Sequence, residues 1–185
     1  MKKLIFSDRG LELSLLKFFN KKKDDSLYVD DLLSIRSLAV TNTNTNLFSI
    51  PWYNASSFYT EGETFYFNIE DSNGQWERDL IHFTNLTFIY ISAPSNDLSL
   101  LCNLENLEQL YVTDSSTKDW SFIQNLRNLN SLYISKCNFN GLTPINKLYE
   151  RQINEYLNSP ITPLGFKIFN GLTKLGLVDC NVVDI

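Results

Sequence analysis

A period of 21 to 22 residues runs through this chain, and self-similarity of that length constrains the architecture before any single helix or strand is assigned. The clearest copy places Leu129, Leu132, Ile134, Cys137, Phe139, Leu142, Ile145 and Leu148 at offsets 0, 3, 5, 8, 10, 13, 16 and 19. The copy before it has Leu107, Leu110, Val112, Ser115, Thr117, Trp120, Ile123 and Leu126 at the same offsets, with Ser115 and Thr117 as its polar exceptions. One copy upstream is a residue shorter and carries Leu86, Ile89, Ile91, Leu98, Leu101 and Leu104. Another, near the end of the chain, carries Leu172, Leu175, Leu177, Cys180, Val182 and Ile185. Two weaker copies come first, one with Ile35, Leu38, Val40, Leu47 and Ile50, the other with Thr64, Phe67, Ile69, Trp76, Leu80 and Phe83.

The apolar residues at offsets 3 and 5 alternate with polar or aromatic ones, which is the period of a strand buried on one face. Each copy therefore contributes one short strand. The remaining dozen or so residues must cross over the core and begin a parallel neighbour, with offsets 13, 16 and 19 supplying the covering layer. Coils of this kind bury their apolar rows only against adjacent coils, so the product is a solenoid.

These residues resemble the leucine-rich repeat, LxxLxLxxN/CxL, in its bacterial, internalin-like form of about 22 residues. The resemblance extends to the N-terminus, where Phe6-Ser7-Asp8, Leu11-Glu12, Leu15-Leu16, Phe19-Asn20-Lys21, Asp30 to Leu33 and Ile35 to Leu38 look like the helical cap of many Gram-positive members. The cap also makes physical sense alone. Asp8 is placed to N-cap a helix whose Leu11, Leu15, Phe18 and Phe19 form one apolar stripe over the first coil. The expected fold is thus an α/β leucine-rich-repeat solenoid with a parallel sheet on its concave face, an N-terminal helical cap and mostly short irregular or 3-10 returns on the convex side. Residues 1–185 read as one domain, with a cap over 1–34 and six to seven repeats over 35–185.

Two stretches break the period. Residues 51–63 read as an aromatic-rich insertion containing Trp52, Tyr53, Phe58 and Tyr59. Residues 149–170 read as an irregular repeat, either a strand-bearing coil or a helix with Ile153, Tyr156 and Leu157 on one face. The choice matters for Cys137 and Cys180, which hold the same offset in two copies. With a coil between them they stand about 10 Å apart and cannot bond; with that coil looped out they are neighbours.

Offsets 2, 4 and 6 face away from the core. Offset 4 is tyrosine in three copies, Tyr90, Tyr111 and Tyr133, and strands about 4.8 Å apart would make these an aromatic ladder. Phe88 and Tyr66 are expected to widen it from offset 2, beside Gln109, with Asp114 and Lys136 at the rim. A central aromatic patch with a polar rim is the composition of protein-binding surfaces. Tyrosine is also a good strand former, so the ladder has a purely structural reading as well.

Charge and composition narrow the function further. Sixteen Lys and Arg against 21 Asp and Glu leave a net charge of −5, which disfavours nucleic acid and anionic membrane as partners. Only three apolar residues, Leu4 to Phe6, follow the opening lysines before Ser7-Asp8-Arg9, too few for a secretory h-region, so a cytoplasmic location is expected. Three cysteines without CxxC spacing suggest reduced thiols and no metal site, and seven scattered glycines form no phosphate loop, so no cofactor is expected. The single histidine, His82, has no acid or serine at a triad-like spacing. The expectation is a non-catalytic module that binds a protein through its concave face. The alternatives are an immunity-type inhibitor of a partner enzyme and, far behind, an enzyme using His82. The final coil carries no capping helix in the sequence, which also raises self-association through its exposed edge.

Overall fold

Inward-facing side chains pair across every strand boundary of this chain. The computed structural model describes residues 2–42, 63–139, 141–159 and 171–180. Its strands are β1 (Ile35–Thr41), β2 (Glu63–Asn68), β3 (Phe88–Ser92), β4 (Gln109–Thr113), β5 (Ser131–Ser135) and β6 (Lys174–Val178). They form a single parallel sheet in the order β2-β1-β3-β4-β5-β6. Leu38 sits opposite Ile89, Ile89 opposite Leu110, Leu110 opposite Leu132 and Leu132 opposite Leu175. Val40, Ile91, Val112, Ile134 and Leu177 form the second inward row. This is a leucine-rich-repeat solenoid. Its returns include 3-10 turns at Ser99–Asn103 and Ser121–Asn125, which bury Leu101, Phe122 and Ile123 beneath the sheet.

Coil-to-coil hydrogen bonds reinforce the apolar rows. The asparagine before each offset-0 leucine donates to a carbonyl of the neighbouring coil: Asn85 to Leu33 at 3.0 Å, Asn106 to Thr84 at 3.0 Å and Asn128 to Glu105 at 2.7 Å. Ser115 and Thr117, the polar exceptions to the repeat, are buried with Ser95 in one hydroxyl network. In it Ser95 Oγ and Ser115 Oγ lie 2.7 Å apart, and Ser115 Oγ is 3.0 Å from Thr117 Oγ1. Their polarity costs little because each hydroxyl has a partner.

The cap is built as expected at Asp8, which accepts the Leu11 N–H at 2.9 Å and so starts α1 (Arg9–Phe18). The same carboxylate, fully buried, also accepts the Gln75 N–H at 3.0 Å and the Ser72 hydroxyl. Asp79 answers it by accepting the Ser7 and Asp8 N–H groups, each at 2.8 Å. Burial raises the pKa of Asp79 above the ordinary carboxylate range, against those hydrogen bonds. Gly10 makes the close approach possible: a Cβ there would lie 1.7 Å from the Asp71 carbonyl oxygen. A second short helix, α2 (Val29–Leu32), leads into β1.

Two features differ from the sequence reading. The copy starting at Thr64 precedes β3 in the chain but not in space, since β1 lies between β2 and β3. Its phase is also shifted, with Phe65 and Phe67 facing inward rather than Phe67 and Ile69. The rings explain the placement: Phe65 packs edge-on against Phe18 of α1 at 5.3 Å and stacks with Phe83 at 6.5 Å, partners found at the capped end. After β2 the chain returns through α3 (Trp76–Asp79), whose buried Trp76 helps fill the core. Of the aromatic-rich insertion at 51–63, residues 51–62 lie outside the described residues.

Of residues 149–170, 160–170 lie outside the described residues and 149–158 take the helical alternative. A sixteen-residue helix, α4 (Thr143–Asn158), begins inside the preceding coil, and β5 pairs directly with β6. The side chains it buries are Ile145, Leu148 and Gln152, whereas Leu157, which the sequence groups on one face with Ile153 and Tyr156, is 60% exposed. Ile145 and Leu148 are the offset-16 and offset-19 residues of the repeat, so the coil's own apolar pattern seeds the helix. Gln152 then bridges the gap. Its amide donates to Arg127 O at 3.1 Å and Leu129 O at 2.9 Å, and its oxygen accepts the Leu172 N–H at 2.8 Å. Gly171 stands where the copies starting at Leu86, Leu107 and Leu129 have asparagine, and Gln152 makes the equivalent link. Replacing Gln152 by Leu strands these partners and is expected to cost about 1–3 kcal/mol in denaturant unfolding. Unchanged stability would remove Gln152 from the set of coil-to-coil ties.

Candidate functional site

The sheet register sets the geometry of the outward face. One row runs Tyr66, Ala39, Tyr90, Tyr111, Tyr133, Gly176 across the six strands. The row beside it contains Ser37, Phe88, Gln109, Ser131 and Lys174. Tyr90, Tyr111 and Tyr133 thus occupy equivalent positions in consecutive coils, but the continuous run of rings is a different one. Phe88 lies 5.5 Å from Tyr111, and Tyr111 stacks on Tyr133 at 5.9 Å with 27° between planes. Tyr90 makes no ring contact with Tyr111 among the described residues. It is 8% exposed, and beside it on β1 stands the small Ala39 rather than a second ring.

Tyr66 also departs from expectation. The shifted phase of β2 moves it from the Phe88 row into the tyrosine row, where Ala39 separates it from Tyr90 and it is 57% exposed. It lies at the capped end of that row. At the other end the stack finishes over bare backbone: a Cβ on Gly176 would lie 2.5 Å from Cδ2 of Tyr133. The ring of Tyr133 occupies the space that any other residue at position 176 would fill.

Burial within this face raises the pKa of Tyr90 and of Tyr111 above that of a free phenol, so both stay neutral hydrogen-bonding groups near pH 7. Gln109 and Ser131 connect the rings to an open cleft of about 560 Å³, lined also by Glu108, Asn130, Thr173 and Lys174. On the opposite flank every coil from β4 to β6 turns out of the sheet through a left-handed residue: Asp114 at φ 58°, Lys136 at φ 51° and Asp179 at φ 51°. Each is exposed, and the Asp114 carboxylate accepts the Thr113 hydroxyl at 2.9 Å. The left-handed turn disfavours a side chain such as lysine, which makes Lys136 the least expected of the three on local grounds.

His82 occupies a different part of the molecule. Its Nε2 lies 3.0 Å from the Ile5 carbonyl and 4.0 Å from Asp79 Oδ1, and its ring meets Phe6 edge-on at 5.0 Å. Both Asp79 oxygens are already engaged by backbone N–H groups, so this histidine joins the cap to the return segment. No cluster of three or more metal-ligating side chains occurs among the described residues. Nor is any helix among them long and apolar enough to cross a membrane.

Comparison with solved structures identifies the fold. The chain is similar to an internalin (inlF) from Listeria monocytogenes, with a TM-score of 0.57 and 23% identity over 98% of this chain and 46% of that one. It therefore spans about half the length of that protein. An internalin C2 (inlC2) from the same organism aligns at a TM-score of 0.39 and 16% identity, over 78% of this chain and 91% of that one. No family model and no curated protein matches the sequence. The fold is internalin-like.

The stack generates a spectroscopic expectation. Glycine protons beneath an aromatic face are shielded, so the Gly176 Hα resonances should fall upfield of the ordinary glycine range and return to it in Tyr133→Leu. Ordinary shifts in the unmodified protein would show that the ring does not cover Gly176.

Proposed function

We propose that this protein is a non-catalytic binding module that captures another protein on the concave face of its sheet. The observation carrying this reading is the run Phe88–Tyr111–Tyr133, in ring contact across three strands in a face whose remaining outward side chains are mostly small and uncharged. Aromatic groups held at the centre of a charge-poor patch are where binding energy concentrates, because they bury large rigid areas at small entropic cost. Neighbouring parallel strands fix the rings before any partner arrives, which lowers the ordering cost of association. Asp114, Lys136 and Asp179 supply a charged rim suited to orienting the partner and setting the rate of encounter.

The net charge of −5 supports a protein partner over nucleic acid. The polar cleft beside Gln109 offers hydrogen-bonding groups next to the rings, an arrangement that discriminates among partners through the cost of leaving buried polar atoms unpaired. Self-association remains a reading of the exposed end of the sheet, where Leu175 of β6 is 49% exposed; residues 181–185 lie outside the described residues.

Two variants test the proposal against a partner isolated with the intact protein. The double variant Tyr111→Ala, Tyr133→Ala should weaken binding by about 30-fold or more, the effect of losing hot-spot side chains, while Glu150→Ala on the exposed side of α4 leaves it unchanged. Equal binding by all three proteins would move the site off the concave face. Lys136→Gly relieves a left-handed side chain and is expected to keep or raise stability by up to about 1 kcal/mol. The same change should slow association measured by surface plasmon resonance; an unaltered rate would exclude Lys136 from the rim's role.

A further inference from the structure

Cys137 and Cys180 are 43 residues apart in the chain but hold the same position in neighbouring coils, because α4 removes the intervening strand and β5 pairs directly with β6. Both follow their strands after a left-handed residue, Lys136 and Asp179, so the backbone arrives at the two cysteines by the same path. Their side chains lean the same way. Cys137 Sγ lies 3.0 Å from Ser135 O and 3.9 Å from Val112 O of the preceding coil, and Cys180 Sγ lies 3.3 Å from both Val178 O and Ile134 O. The Cys180 thiol thus reaches back over the end of β5, and Cys137 follows two residues after that strand's last residue, Ser135. Adjacent strands stand about 4.8 Å apart, inside the range of roughly 4.4–6.8 Å that a disulfide spans between Cα atoms. Both thiols are free in the structure, and the third, Cys102, belongs to the 3-10 turn Ser99–Asn103 on a different coil.

We propose that Cys137 and Cys180 form an oxidative modification site, closing an internal disulfide between the last two strand-bearing coils described when the protein meets a small disulfide such as oxidised glutathione. Cys180 is the entry point, since it is half-buried while Cys137 is 4% exposed. The Cys180 thiolate attacks one sulfur of the small disulfide; a new S–S bond forms and one glutathione thiolate leaves. The Cys137 thiolate then attacks the Cys180 sulfur, and the second glutathione leaves. The protein loses two electrons and two protons, and one small disulfide becomes two thiols.

The second step sets the pace. Burial, more than any other influence, pushes the Cys137 thiol up to about 11, and the nearby Cys180 thiol adds to the rise. The attacking thiolate is therefore scarce at neutral pH, and its population climbs about tenfold per pH unit until the pH nears that value. The bond would tie β6 to β5 at the end of the aromatic row, where Tyr133 lies over Gly176. Oxidation would make the same face more rigid at its β6 end.

The test uses the intact chain incubated with oxidised glutathione at pH 8, followed by thiol titration, intact mass and peptide mapping. The expected result is a fall from three titratable thiols to one, a mass lower by two hydrogens, and a single Cys137–Cys180 link whose rate of formation rises about tenfold between pH 8 and pH 9. The Cys102→Ser variant should fall from two thiols to none at the same rate. Three thiols remaining, a stable glutathione adduct on Cys180, a link through Cys102 or a bond between two chains would each overturn the proposal.

Discussion

Every coil of this protein depends on its neighbour for two things, partners for its backbone and cover for its inward side chains. The parallel register supplies both at once, because the strand that accepts the N–H groups of β4 also sets Leu110 and Val112 against the inward residues of β3 and β5. Asn85, Asn106 and Asn128 repeat the tie from outside the sheet, and Ser95, Ser115 and Thr117 repeat it beneath. Such a solenoid gains stability from contacts between adjacent repeats, so its two ends need special treatment. At one end α1 closes the stack through Asp8 and the Phe18–Phe65 contact. Near the other, Gln152 holds two coils together across the helical insertion.

The outward face inherits its order from that register. No side chain of the aromatic row needs its own support, because neighbouring strands already fix where each ring begins. What the register leaves open is how each ring leans, and there the identity of the neighbour decides. Tyr111 has Tyr133 and Phe88 within stacking distance and joins them. Tyr90 has Ala39 beside it and settles into the sheet. Tyr133 meets a residue with no side chain and covers it. A surface of this sort presents rings and hydroxyls in fixed positions to whatever binds, with charge confined mostly to the turns where the backbone leaves the sheet.

Much of this was legible in the repeat. Apolar residues at offsets 3 and 5 specify strands, and their period specifies parallel neighbours, so the sheet, the inward rows and the equivalence of the three tyrosines follow from spacing alone. The position of β2 does not follow, because a period measures distance along the chain and says nothing about the side on which a strand is added. Its phase does not follow for a related reason: Phe65, Phe67 and Ile69 alternate without a break, and either pair satisfies the pattern. The asparagine ties were present as recurring Asn-Leu pairs at 85, 106 and 128, a signal in the polar positions that an apolar template passes over. Gln152 had no such signal, since its role depends on where a helix meets two coils.

A walk of methyl contacts by nuclear Overhauser spectroscopy tests the stacking order most directly. With Leu, Ile and Val methyls labelled, the account predicts an unbroken path Leu38–Ile89–Leu110–Leu132–Leu175, with each residue touching the next across one strand boundary. Contacts from the Phe65 ring to Ile89 in place of Leu38, or no contact between Leu132 and Leu175, would contradict it.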